Sequence, residues 1–235
     1  MSIKKHIPNT ITCLNLISGC ISIYFTCHNH IIMAAEMIFL AAIFDFFDGF
    51  AARLLNAKSP IGGELDSLSD VVSFGVAPSF IVASLLNNLD IKWQLFDINI
   101  FPMLAFVLAA FAAVRLAKFN IDTRQSSSFI GLPVPAVGLF IASLPLMLSQ
   151  IEQSSTLYNI VVSPYFLLAA VAIFSWLMIS EVPFFSFKIK NLKFKENILR
   201  YFVVIFAITA VVILQWMALP FVFLFYILLS VICYR

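Results

Sequence analysis

Long apolar runs separated by short polar stretches recur from one end of this chain to the other, and none is resolved into the short alternating segments of a membrane barrel. About 20 apolar residues are needed to carry a helix across roughly 30 Å of hydrocarbon. Eight segments approach that length: residues 11–28, 31–55, 66–88, 99–119, 134–150, 160–181, 198–217 and 219–233. The pattern predicts an all-α, polytopic membrane helix bundle, because hydrocarbon tolerates only helices or closed barrels. Span 134–150 is short and contains Pro145, which makes its separation from 160–181 the weakest boundary. Linkers are short, and no internal repeat or long polar stretch marks a second domain. The expectation is a single membrane domain over 1–235, with a juxtamembrane segment at 1–10, a main bundle at 11–181, a basic loop at 182–197 and a helix pair at 198–235.

Composition agrees: 62% of residues are hydrophobic, 11% are charged, and the mean hydropathy is +1.03. Lys and Arg collect on the cytoplasmic side of membrane helices. Under eight spans, Lys4, Lys5, Arg53, Lys58, Arg115, Lys118, Arg124, Lys188, Lys190, Lys193, Lys195, Arg200 and Arg235 fall on one side. Lys92 alone falls opposite, which predicts both termini in the cytoplasm. The stretch FKIKNLKFKEN at 187–197 reads as an inside loop, or as a dock for anionic lipid head groups. The N-terminus resembles a secretory signal in charge and apolarity. Asn9, Asn15 and Ser18 interrupt it and no A-x-A-like cleavage site follows, so this helix is expected to stay. Cys13, Cys20 and Cys27 recur every seventh residue without a C-x2-C pair, so they are expected as small buried thiols packed on a neighbour. His28 and His30 lack a nearby third ligand and read as a solvated pair.

Against this apolar background, DFFDGFAARLLNAKSPIGGELDSLSD at 45–70 places four aspartates within predicted helix. Asp45, Asp48 and Ala52 follow i, i+3, i+7 spacing and share a face; Asp66 and Asp70 follow i, i+4. Pro60, Gly62 and Gly63 supply a reversal between the two helices, which makes them antiparallel neighbours and lets the four carboxylates converge. Like charges held together near a membrane interior need a cation. Of the basic side chains only Arg53 is placed close enough to pair with them, and one arginine cannot neutralise four aspartates. An all-oxygen cluster without His or Cys suits Mg²⁺ or Mn²⁺, and two such ions side by side are a known arrangement for displacement at phosphorus. Gly49, Ala52, Gly62 and Gly63 leave room beside the carboxylates for a phosphorylated ligand, or simply let helices pack closely. Arg53 offers a guanidinium fork for phosphate.

The spacing D-x2-D-G-x2-A-R-x8-G-x3-D-x3-D is complete as Asp45, Asp48, Gly49, Ala52, Arg53, Gly62, Asp66 and Asp70, and it resembles the CDP-alcohol phosphatidyltransferases. That resemblance implies a six-helix catalytic core, here 11–181, a CDP-linked lipid substrate, divalent metal at the cytoplasmic face and a homodimer. It implies Asp45, Asp48 and Asp66 as metal ligands. Asp70 would be the base that deprotonates the acceptor alcohol, with a possible contact to metal as well. HIPNTITCLNLISG at 6–19, DVVSFGVAPS at 70–79, RLAKFN at 115–120 and GLPVPA at 131–136 resemble the bacterial branch that uses L-serine. Val71 stands where phosphatidylglycerophosphate-forming relatives tend to carry lysine. The resemblance covers about 6–136, and the last two helices add little to it.

The implied reaction is metal-dependent transfer of a phosphatidyl group from CDP-diacylglycerol to serine in a bacterial inner membrane, with lipids and no nucleic acid as partners. Arg115 and Lys118 are the nearest cationic candidates for serine, with Asn120 a polar contact, although basic residues at a helix end also simply mark the cytoplasmic side. Asn9 and Thr12 either reach the nucleotide or cap the first helix. Glycerol 3-phosphate or inositol phosphate as acceptor would bring a dianion and call for a denser basic pocket. A cation transporter would be expected to show a second copy of the acidic pattern in a repeated half, and none is present. A non-catalytic assembly factor leaves the ordered aspartates unexplained.

Overall fold

A computed structural model describes residues 6–57, 59–91, 93–122, 129–184 and 198–233. Lys4, Lys5, Lys58, Lys92, Arg124, Arg235 and the basic loop from 187 to 197 lie outside the described residues, as does the side chain of Arg200. Ten α-helices are described: α1 (His6–Cys27), α2 (Ile31–Leu54), α3 (Pro60–Asp70), α4 (Ala77–Asn87), α5 (Val107–Ile121), α6 (Val134–Leu148), α7 (Thr156–Val162), α8 (Pro164–Ile179), α9 (Ile198–Leu214) and α10 (Ala218–Cys233). Four two-residue strands form two small antiparallel ribbons: β1 (Gln94–Leu95) with β2 (Ile98–Asn99), and β3 (Phe129–Ile130) with β4 (Pro183–Phe184).

Among the described residues, four helical stretches are long and apolar enough to cross a membrane: His6–Cys27, Pro60–Asn87, Phe101–Ile121 and Ile205–Ser230. The pair α7 and α8, bent by 55°, makes a fifth if it is one span. The protein is therefore a helical membrane protein, but a count of eight is not reproduced. Two of the expected spans fall short for physical reasons. Glu36, Asp45, Asp48 and Arg53 make α2 too polar despite its 24 residues, and α6 has only 15. The break in 160–181 falls at Ser163, whose hydroxyl caps α8 by accepting from the Phe166 amide, ahead of Pro164. Ile205–Ser230 is itself interrupted: Gln215 has a φ of 52°, and the rings of Phe206 and Phe225 lie 4.2 Å apart, so α10 doubles back along α9.

Helix α3 begins earlier than expected. Pro60 and the two glycines do not make the reversal; α2 has ended by Leu55, and Asn56 takes a φ of 48°. Pro60 opens the helix, where its missing N–H costs nothing, and the Ser59 hydroxyl accepts from the Gly62 amide at 3.1 Å. Helix continues to Asn87 through a π-type turn at Val71–Val76. This turn is the packing centre. A Cβ on Gly19 of α1 would sit 2.7 Å from the Ser73 Cα, one on Gly138 of α6 2.9 Å from the Phe74 Cα, and one on Gly75 2.9 Å from the Ala112 Cβ of α5. Absent side chains thus let three helices close on one turn.

The inward face of α1 is small and polar: Thr12, Asn15, Ser18, Gly19, Ser22 and Thr26 are buried. Ser22 Oγ donates to the Ala34 carbonyl of α2 at 2.7 Å, and Ser69 and Ser73 Oγ donate to the Thr12 and Asn15 carbonyls at 3.2 and 3.0 Å. The cysteine expectation is corrected here. Cys13, Cys20 and Cys27 are exposed, because the polar and small residues take the inner face and leave the thiols outward.

Candidate active site

The α1–α2 hairpin and the start of α3 place the acidic residues. Oxygen atoms of Asp45 and Asp48 on α2 and Asp66 on α3 all lie within 4.8 Å of one another. Carboxylates this close repel one another, and a cation held between them relieves that repulsion. Asp48 is only 5% exposed, and its Oδ2 is buried without a hydrogen-bond partner. A buried carboxylate oxygen left unsatisfied beside two further carboxylates fits a hard divalent cation and little else.

Asp70 stands one turn deeper, 6% exposed, within electrostatic reach of the other three aspartates. It accepts a hydrogen bond from Asn15 Nδ2 at 3.3 Å. Asn15 is fully buried, and its Oδ1 has no partner. Sequence reasoning used Asn15 only as an argument against a cleaved signal. Its complete burial and its bond to Asp70 mark it for function, and neither is visible in the sequence.

Beside the three-carboxylate group lies an open cavity of about 240 Å³. Asn9, Thr12, Gly49, Ala52 and Gly62 all line it together with Asp48 and Asp66, as do Ala57, Ser59 and Gly63. The first turn of α3 forms one wall through Ser59, Gly62 and Gly63, beside the carboxylates of Asp48 and Asp66. Gly62 is needed there: an added Cβ would lie 3.1 Å from Asn9 Oδ1 and from Ser59 Oγ. Arg53 is exposed and does not line this cavity, although its Nη1 reaches over Gly49.

A second cavity, about 390 Å³, opens where α5 and α8 end. Arg115 and Lys118 line it; Asn120 does not, being joined to Ser67 through its Nδ2 at 3.0 Å. Arg115 is the buried cation that the sequence did not pair with the aspartates: it is 6% exposed and within electrostatic reach of Asp70 and of Tyr226 on α10. Its guanidinium carbon lies 4.7 Å from the centre of the Phe119 ring, and Nε has no hydrogen-bond partner.

Residues 5–184 match the family model described as CDP-alcohol phosphatidyltransferase. The chain is 37% identical over 184 residues to the CDP-diacylglycerol–serine O-phosphatidyltransferase of Bacillus subtilis, covering 78% of this chain and 92% of that relative. It is 38% identical over 136 residues to the enzyme of the same name from Helicobacter pylori, covering 57% of this chain and 54% of that one. With the archaetidylserine synthase of Methanothermobacter thermautotrophicus the identity is 31% over 159 residues, covering 67% and 65%. The extent of the family match, with the acidic motif wholly inside it, means that this chain belongs to the CDP-alcohol phosphatidyltransferase family.

Proposed function

We propose that this protein transfers the phosphatidyl group of CDP-diacylglycerol to the hydroxyl of L-serine, giving phosphatidylserine and CMP. The observation that carries this reading is the three-carboxylate group beside a cavity lined by glycines and a helix start, in a chain similar to enzymes named for that reaction. Asp45, Asp48 and Asp66 would hold Mg²⁺ or Mn²⁺, as two ions, with Asp70 able to complete the set. Bound there, divalent cations offset negative charge on the pyrophosphate as it is displaced. Asn9, Thr12, Gly49, Ala52 and Gly62 border the CDP moiety, and Arg53 reaches a phosphate from the rim.

Asp70 takes the proton from the serine hydroxyl. The oxygen forms its bond to the phosphorus that carries diacylglycerol, and the bond from that phosphorus to the CMP oxygen breaks. Asn15 fixes the Asp70 carboxylate through its amide. Arg115 stands close enough to Asp70 to hold serine's carboxylate beside the base, with Lys118 at the cavity mouth. Residues 11–181 would form the catalytic core, in an inner membrane with both termini and the site on the cytoplasmic side, as a homodimer.

The test is CMP release by purified full-length protein given CDP-diacylglycerol and Mg²⁺ or Mn²⁺, with serine, glycerol 3-phosphate or inositol phosphate in separate reactions. Release with serine alone is expected. Release with a phosphorylated acceptor and none with serine would overturn the acceptor assignment. Retention of Ca²⁺, Mg²⁺ or Mn²⁺ flux across vesicles without any CMP release would favour the transporter.

A further inference from the structure

Helix α3 walls the first cavity through Gly62, Gly63 and Asp66, and α5 walls the second through Arg115, Lys118 and Ile121. These two helices run antiparallel and meet at two levels. At one, Gly75 in the π-type turn that continues α3 lies so close to α5 that an added Cβ would sit 2.9 Å from the Ala112 Cβ. At the other, Asn120 Nδ2 donates to Ser67 Oγ at 3.0 Å. Ser67 lies eight residues before Gly75 and Asn120 eight after Ala112, about two helical turns in each case. Asp70 and Arg115 fall inside that interval, within electrostatic reach of one another. Ser67 Oγ is 3.2 Å from both the Gly63 carbonyl oxygen and Asn120 Oδ1; with one proton to give, it donates to one of them and accepts the Asn120 amide on a lone pair. Among the described residues, no other side-chain hydrogen bond joins α3 to α5, and neither Ser67 nor Asn120 lines either cavity.

We infer that Ser67 and Asn120 are positioning residues for the transfer: their hydrogen bond sets the gap between α3 and α5, and with it the distance over which an acceptor held at Arg115 meets Asp70. The assignment rests on the serine reading above. A helix pair pinned only where small residues let it cross is free to splay at its far end. Pinned at both levels, it fixes whatever lies between them, which here is the base and the cation. The two are carried on different helices, so a loosened gap separates the acceptor from the base while leaving each attached to its own element. A misplacement of about 1 Å is enough to slow an oriented attack roughly 100-fold. The sequence expectation gave Asn120 to serine itself. Its amide is instead bound to Ser67, so Asn120 acts on the acceptor through the spacing of α5.

The experiment follows CMP release by the full chain given CDP-diacylglycerol and serine, and compares Ser67→Ala, Asn120→Ala, the double variant and Ser67→Thr. Each single alanine variant is expected to lower kcat roughly 3- to 10-fold, the shift in population that one net hydrogen bond supports. The KM for CDP-diacylglycerol and the Mg²⁺ or Mn²⁺ concentration giving half activity should stay within about twofold, which a general loosening of the fold would not leave intact. The double variant should be no slower than the slower single one, because both substitutions remove the same bond. Ser67→Thr keeps the hydroxyl and should recover most of the rate. A loss in Asn120→Ala with none in Ser67→Ala, seen in the serine KM, would overturn the assignment and return Asn120 to direct contact with the acceptor. Additive losses in the double variant, or an unchanged kcat in both single variants, would overturn it as well. So would a shifted metal requirement, which would place the effect on Asp66 beside Ser67. If the unsubstituted protein releases no CMP with serine, the serine reading itself fails, and this one with it.

Discussion

At the scale of single residues, the site divides into groups that share a cation and groups that aim the base. Asp45→Asn and Asp66→Asn each remove one charge from the three-carboxylate group. Each is expected to abolish CMP release while the protein still inserts into membranes, and full activity at limiting metal would remove that residue from the ligand set. Asn15→Leu keeps the branched outline of the side chain but leaves Asp70 without its 3.3 Å donor. A drop in kcat of roughly 10- to 100-fold is expected, with little change in the KM for either substrate, because a hydrogen bond to a charged group is worth about 1.5–3 kcal/mol. Arg115→Lys keeps the charge and loses the fork, so the serine KM should rise by roughly 10- to 150-fold while that for CDP-diacylglycerol barely moves. The four aspartates were legible in the sequence because charge in an apolar run demands an explanation. Asn15 was not, because a neutral amide in a membrane helix fits ordinary helix packing until its neighbours are known.

At the scale of elements, what was legible followed from hydropathy, and what was missed followed from local backbone chemistry. Segment 31–55 was read almost to the residue as Ile31–Leu54, since the polar breaks HNH at 28–30 and NAKSP at 56–60 bound it on both sides. The start of α3 was missed because proline and paired glycines suggest a turn as readily as a first helical turn; Ser59 decides between them by capping. Ser59→Ala should therefore cost about 0.5–2 kcal/mol, read as a lower midpoint of thermal unfolding in detergent. Close packing at the π-type turn is more exacting. Gly138→Val puts a branched side chain against the Phe74 backbone, where even a Cβ would lie 2.9 Å away. Overpacking of about 1–3 kcal/mol is expected, with a larger fall in thermal midpoint than an equivalent change at exposed Gly63, where a Cβ meets nothing within 4 Å.

At the scale of the whole molecule, the family match ends at residue 184, yet the helices beyond it are joined to the rest. The Met217 amide donates to Gln150 Oε1 at 3.0 Å, Gln150 Nε2 donates to Gln215 Oε1 at 2.8 Å, and Tyr226 comes within electrostatic reach of Arg115. Topology is testable independently of chemistry: cysteines placed at 92 and 190, in a background lacking Cys13, Cys20, Cys27 and Cys233, should label from opposite sides of sealed vesicles. Labelling from one side would sink the arrangement derived from the basic residues. The π-type turn at Val71–Val76 bears on the same question in a different way. Such a turn holds one residue more than an α-helical turn would, so it acts as a phase shift of about 100° between the two halves of a single membrane helix. Asp66 and Asp70 lie before the shift, and the apolar positions Ala77, Ile81 and Leu85 that seat the helix lie after it. Deleting one residue within the turn would leave hydropathy, charge and insertion nearly untouched, yet rotate both aspartates away from Asp45 and Asp48. This chain's chemistry therefore depends on a count of residues that no substitution scan would detect.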